Sequence, residues 1–178
     1  MLILLLERAS GRPLDELFRE RVFEPLQMTG ACFYCGEENM QRLVADHSWN
    51  IDGELIVRDP SETAEKLGKA NRKSMSGNGL FGGMLCTPPD YARFAQMLLN
   101  GGSLDGVQII GRKTVELLTT NLIGERSVDL SVGPGYGFGL GYAVHKGIAG
   151  TLTPGSPGTF GWGGAAGTWF FVDPVEEL

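Results

Sequence analysis

The sequence predicts an α+β fold in which helices come first and an antiparallel sheet follows. Apolar residues recur at helical spacing in residues 2–22 and again after Thr87. Glycines alternate with aromatic or aliphatic residues over 135–142, and a period of two is typical of a strand. A second apolar run, Thr168–Val172, predicts another strand. Helical patterns followed by strand patterns favour α+β over alternating α/β.

Two helices are predicted at the start of the chain. Residues 2–10 are Leu-rich, and Gly11 suits the left-handed position that ends a helix. Pro13 then opens a second helix at a first-turn position, and Pro25 ends it. The predicted buried face of this helix consists of Leu14, Leu17, Phe18 and Val22. Because Met1 falls inside the first helical pattern, we expect the sequence to begin within a domain.

Three further elements are predicted in the middle of the chain. Asp52-Gly53 suits a type I′ turn, which predicts a hairpin between residues 45–51 and 54–58. Residues 59–79 are polar and then Gly-rich, as is typical of a loop. Thr87 followed by two prolines and Asp90 predicts a helix start. The predicted buried stripe of this helix consists of Tyr91, Phe94, Ala95, Leu98 and Leu99. The helix is expected to end at Gly101 and Gly102, and a short helix is predicted around Val115, Leu117 and Leu118.

Unusual glycine placement marks the strand predicted over 135–142. All its side-chain bulk lies on one face and glycine on the other, so we expect another segment to pack very close to the bare face. Residues 147–158 are predicted as a loop, and Thr168–Val172 as a buried strand. Asp173-Pro174 is expected to form a turn.

Composition excludes several classes of function. The chain has 178 residues and a net charge of −6, which argues for one domain, or part of one, and against nucleic-acid binding. The longest apolar run, residues 1–6, is far too short to span a membrane. Three cysteines and two histidines, His47 and His145, give too few ligands at suitable spacing for a zinc site, so no metal is expected.

Two apparent motifs are rejected. Residues 77–82 match G-x-G-x-x-G, but no strand precedes them and Pro88 delays the following helix, so a tight loop is the better interpretation. Residues 154–158 only resemble the G-x-S-x-G of α/β-hydrolases, because prolines flank Ser156. His47 and His145 have no nearby nucleophile signal, so we interpret them as structural or solvated.

The most specific stretch is residues 160–169, FGWGGAAGTW, which runs into a predicted strand. Small residues beside a strand let a ligand approach backbone N–H groups, which can donate to an oxyanion. Close packing of a bend under another element demands glycine equally well. The residues alone leave both interpretations open.

Several stretches in order resemble a known family: residues 5–28, 79–102, 115–120, 135–141 and 160–174. The chain is similar to the C-terminal part of the serine β-lactamase-like superfamily, on the side of class C β-lactamases and family VIII carboxylesterases. This resemblance implies a partial β-lactamase/transpeptidase-like fold, helices plus antiparallel sheet, with residues 1–178 forming the C-terminal portion of one domain truncated at both ends.

The family's chemistry uses a Ser-x-x-Lys pair, a Tyr-x-Asn motif and a K-T-G-type strand. The first two are absent from this sequence, so we expect the isolated chain to be inactive. Trp162-Gly163-Gly164 occupies the K-T-G place. The resemblance assigns oxyanion donation to the Ala165 N–H, the acyl-pocket wall to Trp162, and close backbone approach to Gly163 and Gly164, with Gly79 on the pocket rim.

The implied function is hydrolysis of an acyl ester, through a serine acyl-enzyme, in the complete parent. Trp and Gly offer a carboxylate fewer donors than Lys and Thr do, which favours neutral esters over β-lactams. Two alternatives stay open: a non-catalytic binding module that reuses the late half of the fold, or a β-lactamase or D-Ala peptidase parent. The resemblance implies no cofactor, and the expected partner is a small acyl ester or amide. The compartment, cytoplasmic or periplasmic, and the oligomeric state are left open.

Overall fold

The chain divides into two units, Met1–Asp90 and Tyr91–Leu178, in the computed structural model. The structure describes residues 2–33, 37–58, 84–128, 134–151, 153–164 and 167–178. The loop predicted over 59–79 and the glycine motif at 77–82 lie outside the described residues. Among the described residues, no helix combines the length and the apolar character needed to cross a membrane.

The first unit begins with the two predicted helices. Helix α1 spans Leu2–Ser10 and ends at Gly11, whose φ of 67° is left-handed, as predicted. Helix α2 spans Leu14–Phe18 after Pro13 and continues as a π-helical turn, Arg19–Phe23. The buried side chains of this region are Leu14, Phe23, Leu26, Met28 and Phe33. Phe33 packs edge-to-face on Phe18 with ring centroids 5.5 Å apart, so aromatic packing holds the end of this helix.

A hairpin follows a 3-10 helix, Glu37–Arg42. Strand β1, Asp46–Trp49, pairs antiparallel with β2, Leu55–Arg58. The hairpin is confirmed, but the type I′ turn is wrong, because Gly53 has a positive φ of 77° and Asp52 does not. The Asn50 Oδ1 accepts the N–H groups of Asp52 and Glu54, at 3.0 and 2.8 Å. This side chain stabilises a three-residue loop that ends in a left-handed glycine, instead of a two-residue turn.

Helix α3, Pro88–Leu99, begins as the sequence predicts. The Asp90 N–H donates to Thr87 Oγ1 at 3.3 Å, and the Thr87 hydroxyl donates to Asp90 Oδ2 at 2.8 Å. The buried Asp90 carboxylate also accepts the Gly30 N–H at 2.9 Å. Thr87 therefore caps the helix, and the Asp90 carboxylate holds both the capping hydroxyl and a turn 60 residues away in sequence.

In the second unit, Gly101 and Gly102 end α3 with φ values of 72° and 103°. Leu98 is buried as predicted, but Met97, outside the predicted stripe, is the more completely buried of the two. Strands β3, Ser103–Leu104, and β4, Val107–Gln108, form a small ribbon. Helix α4, Arg112–Thr119, buries Val115 and exposes Leu117, so only part of its predicted apolar face is covered.

A four-stranded antiparallel sheet forms the rest of this unit, in the order β5-β6-β7-β8. The strands are β5, Tyr136–Phe138; β6, Ala143–His145; β7, Phe160–Gly163; and β8, Trp169–Val172. The single strand predicted over 135–142 is wrong in extent, because the chain reverses after Phe138. The Gly139 N–H donates to the Tyr142 carbonyl across this reversal, at 2.9 Å. A short helix α5, Ile148–Thr151, lies inside the predicted loop 147–158.

The bare glycine face of β5 is covered closely, as predicted. A Cβ on Gly137 would lie 2.3 Å from the Asn121 side chain, and one on Gly139 would lie 2.0 Å from the Leu118 carbonyl oxygen. The end of α4 and the residues that follow it therefore pack directly on backbone, which only glycine permits.

Strand β8 is confirmed, but its complete burial is wrong. Trp169 and Phe171 are 50% and 53% exposed, whereas Val172 is 2% exposed. Directly opposite positions join Phe160 to Val172 and Trp162 to Phe170. Because side chains alternate across a strand, the apolar run faces the core only at alternate positions. The Asp173-Pro174 turn predicted after β8 is present.

Candidate active-site strand

The three described site residues lie together where β7 ends. Trp162 and Gly163 are the last two residues of this strand, and Gly164 follows it. Strand β7 pairs with β8 along its whole length and with β6 at Phe160 and Gly161, so the β8 pairing extends to the site residues. Ala165 and Gly79, the expected oxyanion donor and rim residue, lie outside the described residues. Of the site residues that the sequence predicts, the structure therefore describes Trp162, Gly163 and Gly164.

Trp162 is half-buried, and another aromatic ring fixes its indole. The Phe138 ring meets it edge-to-face, with centroids 5.1 Å apart and planes at 77°. Such a pair contributes about 0.5–1.5 kcal/mol beyond the area it buries. Phe138 lies on β5, two strands away, so sequence reasoning did not connect it with Trp162. A half-buried indole held in this way can present an apolar surface to an acyl group.

Side chains of β8 and its preceding loop cover the bare faces of Gly163 and Gly164. A Cβ on Gly163 would lie 2.3 Å from the Trp169 ring, and a Cβ on Gly164 would lie 2.3 Å from Thr168 Oγ1. These glycines make room for residues of the same hairpin, which is the packing role that the sequence left open. The position where a K-T-G motif carries threonine therefore has no space for a side chain while the Trp169 ring lies over it.

The hairpin loop after β7 is closed by two backbone hydrogen bonds. The Gly164 N–H donates to the Thr168 carbonyl at 2.8 Å, and the Gly167 N–H donates to the Gly164 carbonyl at 3.0 Å. Gly167 has a φ of 74°, which favours glycine at this turn. Since its N–H is already paired, Gly164 does not serve as an oxyanion donor in this arrangement.

An aromatic cluster of Tyr91, Tyr142, Phe160 and Phe170 supports the same strands. The Tyr142 ring lies 5.4 Å from Phe160 and 5.7 Å from Phe170, and Phe170 meets Tyr91 at 4.9 Å. Burial raises the pKa of the Tyr142 phenol above its usual value. The phenol therefore stays protonated at neutral pH, which suits a packing residue and not a general base.

The loop that leads into β7 is anchored by Asp173. This carboxylate is 4% exposed and accepts the Thr159 hydroxyl at 2.7 Å and the Ser156 N–H at 3.0 Å. It also accepts the N–H groups of Val175 and Glu176 at 3.0 and 3.2 Å. Burial alone would raise the pKa of Asp173, but these hydrogen bonds outweigh it and hold the pKa well below its usual range. Asp173 is thus a charged anchor between the two strands of the hairpin.

His145 is a buried structural residue. Its Nε2 lies 2.7 Å from Thr151 Oγ1 and 3.1 Å from the Thr153 carbonyl, while Nδ1 accepts the Gly147 N–H at 3.1 Å. These contacts assign the proton to Nε2 and leave no ring nitrogen for a substrate. His47 is exposed and contacts the Ala45 carbonyl. Both histidines fit the structural or solvated interpretation.

The described cysteines, Cys32 and Cys86, are half-buried free thiols. Cys32 exchanges two backbone hydrogen bonds with Leu85. Burial, with the nearby Asp90 and Cys32, raises the pKa of the Cys86 thiol. A thiol protonated at neutral pH is a poor nucleophile. Among the described residues, no group of three His, Cys, Asp or Glu could hold a metal ion.

Relatives match nearly the whole chain. An uncharacterized protein of Mycobacterium tuberculosis is 30% identical over 98% of this chain, which spans 44% of that protein. A putative D-alanyl-D-alanine carboxypeptidase of Escherichia coli K12 is 28% identical over 98% of this chain, which spans 40% of it. The chain therefore spans less than half the length of these relatives.

Solved structures agree on the fold. EstCE1, a hydrolase with promiscuous acyltransferase activity, superposes with a TM-score of 0.70 at 24% identity, over 96% of this chain and 45% of its own. A variant of simvastatin synthase from Aspergillus terreus superposes with a TM-score of 0.75 at 21% identity, over 97% of this chain and 45% of its own. The fold is thus a partial β-lactamase/transpeptidase-like fold. The beta-lactamase family matches residues 1–178, and the chain belongs to this family.

Proposed function

We propose that this chain is the C-terminal portion of one β-lactamase-like domain and supplies the acyl-binding side of a serine hydrolase. In the full-length protein, the substrate is an uncharged acyl ester. Membership of the beta-lactamase family supports the hydrolase class. The ester preference rests on the residues at the end of β7.

The observation that carries the ester preference is the chemistry at positions 162 and 163. Trp162 offers an aromatic surface held by Phe138, and the space beside Gly163 is filled by the Trp169 ring. Neither position offers a cationic or hydroxyl donor to a substrate carboxylate. A hydrogen bond to a charged group contributes about 1.5–3 kcal/mol, so an anionic substrate loses a large share of its binding here.

The proposed reaction divides the work between two parts of the full-length protein. A serine from a Ser-x-x-Lys motif, supplied outside this sequence, attacks the acyl carbon while Lys and Tyr accept its proton. The carbonyl oxygen becomes an oxyanion, for which we assign the Ala165 N–H as a donor. The alcohol leaves with a proton, and water then hydrolyses the acyl-enzyme to release the acid. We assign Trp162 to the wall of the acyl pocket and Gly79 to its rim.

A second candidate is a D-alanyl-D-alanine carboxypeptidase, the name given to the Escherichia coli relative at 28% identity. A peptide that ends in D-alanine presents a carboxylate, which the Trp162-Gly163 pair does not complement. A non-catalytic module is the third candidate. An in-frame Ser-x-x-Lys upstream in the gene favours a hydrolase, and an in-frame stop codon favours the module.

In the full-length protein, we expect kcat/KM for a short p-nitrophenyl ester to exceed that for a cephalosporin by at least about tenfold, because the site lacks a donor for the cephalosporin carboxylate. Both reactions are followed by absorbance, and release of D-alanine from a D-Ala-D-Ala peptide is measured in parallel. A preference for the cephalosporin or the peptide contradicts the ester assignment. No turnover of all three favours the non-catalytic module.

A further inference from the structure

Trp162 is the end of a connected series of contacts that starts outside the sheet. The Asn121 side chain lies on the bare face of Gly137, where a Cβ would come within 2.3 Å of its amide carbon. The Asn121 Oδ1 accepts the N–H groups of Ile123 and Phe138, at 3.1 and 3.3 Å. Its Nδ2 donates to the Gly124 carbonyl at 2.9 Å. The amide is therefore fixed at both ends.

This amide fixes the backbone of Phe138. The Phe138 N–H donates to Asn121, and its carbonyl accepts the Leu122 N–H at 2.8 Å. Both backbone groups of Phe138 are thus bonded to the segment that follows α4. The ring projects from this fixed point onto Trp162, with centroids 5.1 Å apart. An edge-to-face pair has a preferred geometry, so a fixed Phe138 restricts the indole to few orientations.

We propose that Asn121 and Phe138 are positioning residues that set the orientation of the Trp162 indole, and through it the length of acyl group that the enzyme accepts. The part of this inference that concerns acyl length rests on the proposed function, whereas the part that concerns the indole orientation does not. With Phe138 in place, the indole closes the acyl site and short acyl groups are preferred. Without the ring, the indole gains freedom and the site admits longer chains.

The test compares Phe138→Leu with Tyr136→Leu in the full-length protein. Both replacements remove a half-buried aromatic ring from β5, but the Tyr136 ring packs on His145. The proteins are labelled with 5-fluorotryptophan, and the Trp162 resonance is assigned through Trp162→Phe. We expect Phe138→Leu to shift or broaden this ¹⁹F resonance and Tyr136→Leu to leave it in place. Asn121→Ala should also shift or broaden the Trp162 resonance, by less than Phe138→Leu does.

The second readout is the ratio of kcat/KM for p-nitrophenyl octanoate to that for the butyrate. Phe138→Leu should raise this ratio by about fivefold or more, since pocket shape discriminates methylene groups on that scale. Tyr136→Leu should leave it unchanged. An unmoved Trp162 resonance in Phe138→Leu, or an equal change of the ratio in Tyr136→Leu, overturns the inference. Absence of ester turnover in the parent protein overturns the proposed function, and the resonance of Asn121→Ala, which keeps the Phe138 ring, still decides whether this support positions the indole.

Discussion

Replacing Asp173 with alanine should lower the free energy of unfolding by about 3 kcal/mol, because it removes an ionised acceptor from several hydrogen bonds at once. The carboxylate is 4% exposed, and the Thr159 hydroxyl that donates to it at 2.7 Å is also buried. Without the acceptor, the Thr159 hydroxyl loses this partner away from water, and the Ser156 N–H keeps only its 3.1 Å bond to Thr159 Oγ1. Urea unfolding of the parent protein and of Asp173→Ala, followed by circular dichroism, measures the difference in the free energy of unfolding.

Two control variants separate the charge from the volume. Asp173→Asn keeps the shape and one acceptor oxygen, so its loss of stability should lie between zero and that of alanine. Glu177→Ala changes an exposed carboxylate nearby and should change stability by less than about 0.5 kcal/mol. If Asp173→Ala unfolds at the same urea concentration as the parent, the anchor assigned to this carboxylate is wrong.

The same carboxylate makes stability depend on pH in a defined direction. Its pKa in the folded protein is held well below the usual value, so folding favours the ionised form. Its contribution is complete above about pH 5 and decreases as the pH falls through the ordinary pKa of about 3.9 and toward the folded value. The stability difference between the parent and Asp173→Asn should therefore be smaller at about pH 3 than at about pH 7. An equal difference at both pH values contradicts this account.

Replacing Trp162 with lysine in the full-length protein should raise the kcat/KM ratio of cephalosporin to ester by roughly 10- to 100-fold. The substitution adds a cationic donor at the position that the resemblance aligns with the lysine of the family's K-T-G strand. A contribution of about 1.5–3 kcal/mol corresponds to about that factor. Initial rates with nitrocefin and p-nitrophenyl butyrate measure the ratio. Lysine is introduced alone, without a threonine at position 163, because a threonine in place of Gly163 would collide with the Trp169 ring.

Trp162→Met is the matched control, because it removes the indole without adding charge. It should lower ester turnover and leave cephalosporin turnover as it is in the parent. If methionine raises kcat/KM for the cephalosporin as much as lysine does, the effect comes from space and not from charge. The assignment of substrate charge to position 162 then fails.

Local chemistry made much of the fold predictable. The Thr87–Asp90 start of α3 and the left-handed end of α1 at Gly11 follow from side-chain and backbone preferences within a few residues. The close approach to β5 was predictable because the glycines at 137 and 139 leave a face on which only backbone or a flat amide fits. These predictions needed no knowledge of distant residues.

Other features depend on contacts that local patterns do not contain. The Asp52-Gly53 dipeptide indicated a two-residue turn, but the Asn50 side chain stabilises a longer loop. The apolar run in β8 indicated burial, but Trp169 instead lies over Gly163 and stays half exposed. In the sequence alone, an apolar residue that covers a glycine on the neighbouring strand has the same pattern as a core residue.

The candidate site was predicted at Trp162 through resemblance, whereas its support by Phe138 required the structure. The two residues are joined only by the folding of β5 and β7 into one sheet. A signal was present in the sequence, because Phe138 is the bulky residue between Gly137 and Gly139, two glycines whose bare face we expected another segment to cover. Nothing in the spacing identified which ring it would meet. The roles of Ala165 and Gly79 stay proposals.

The central claim is that the acyl site selects against negative charge, and a matched pair of substrates tests it most directly. p-Nitrophenyl hexanoate and the mono-p-nitrophenyl ester of adipic acid share a leaving group and a six-carbon acyl chain, and differ by a terminal carboxylate. In the full-length protein, we predict that kcat/KM for the hexanoate exceeds that for the adipate by at least about tenfold. Equal values, or a preference for the adipate, would contradict the claim.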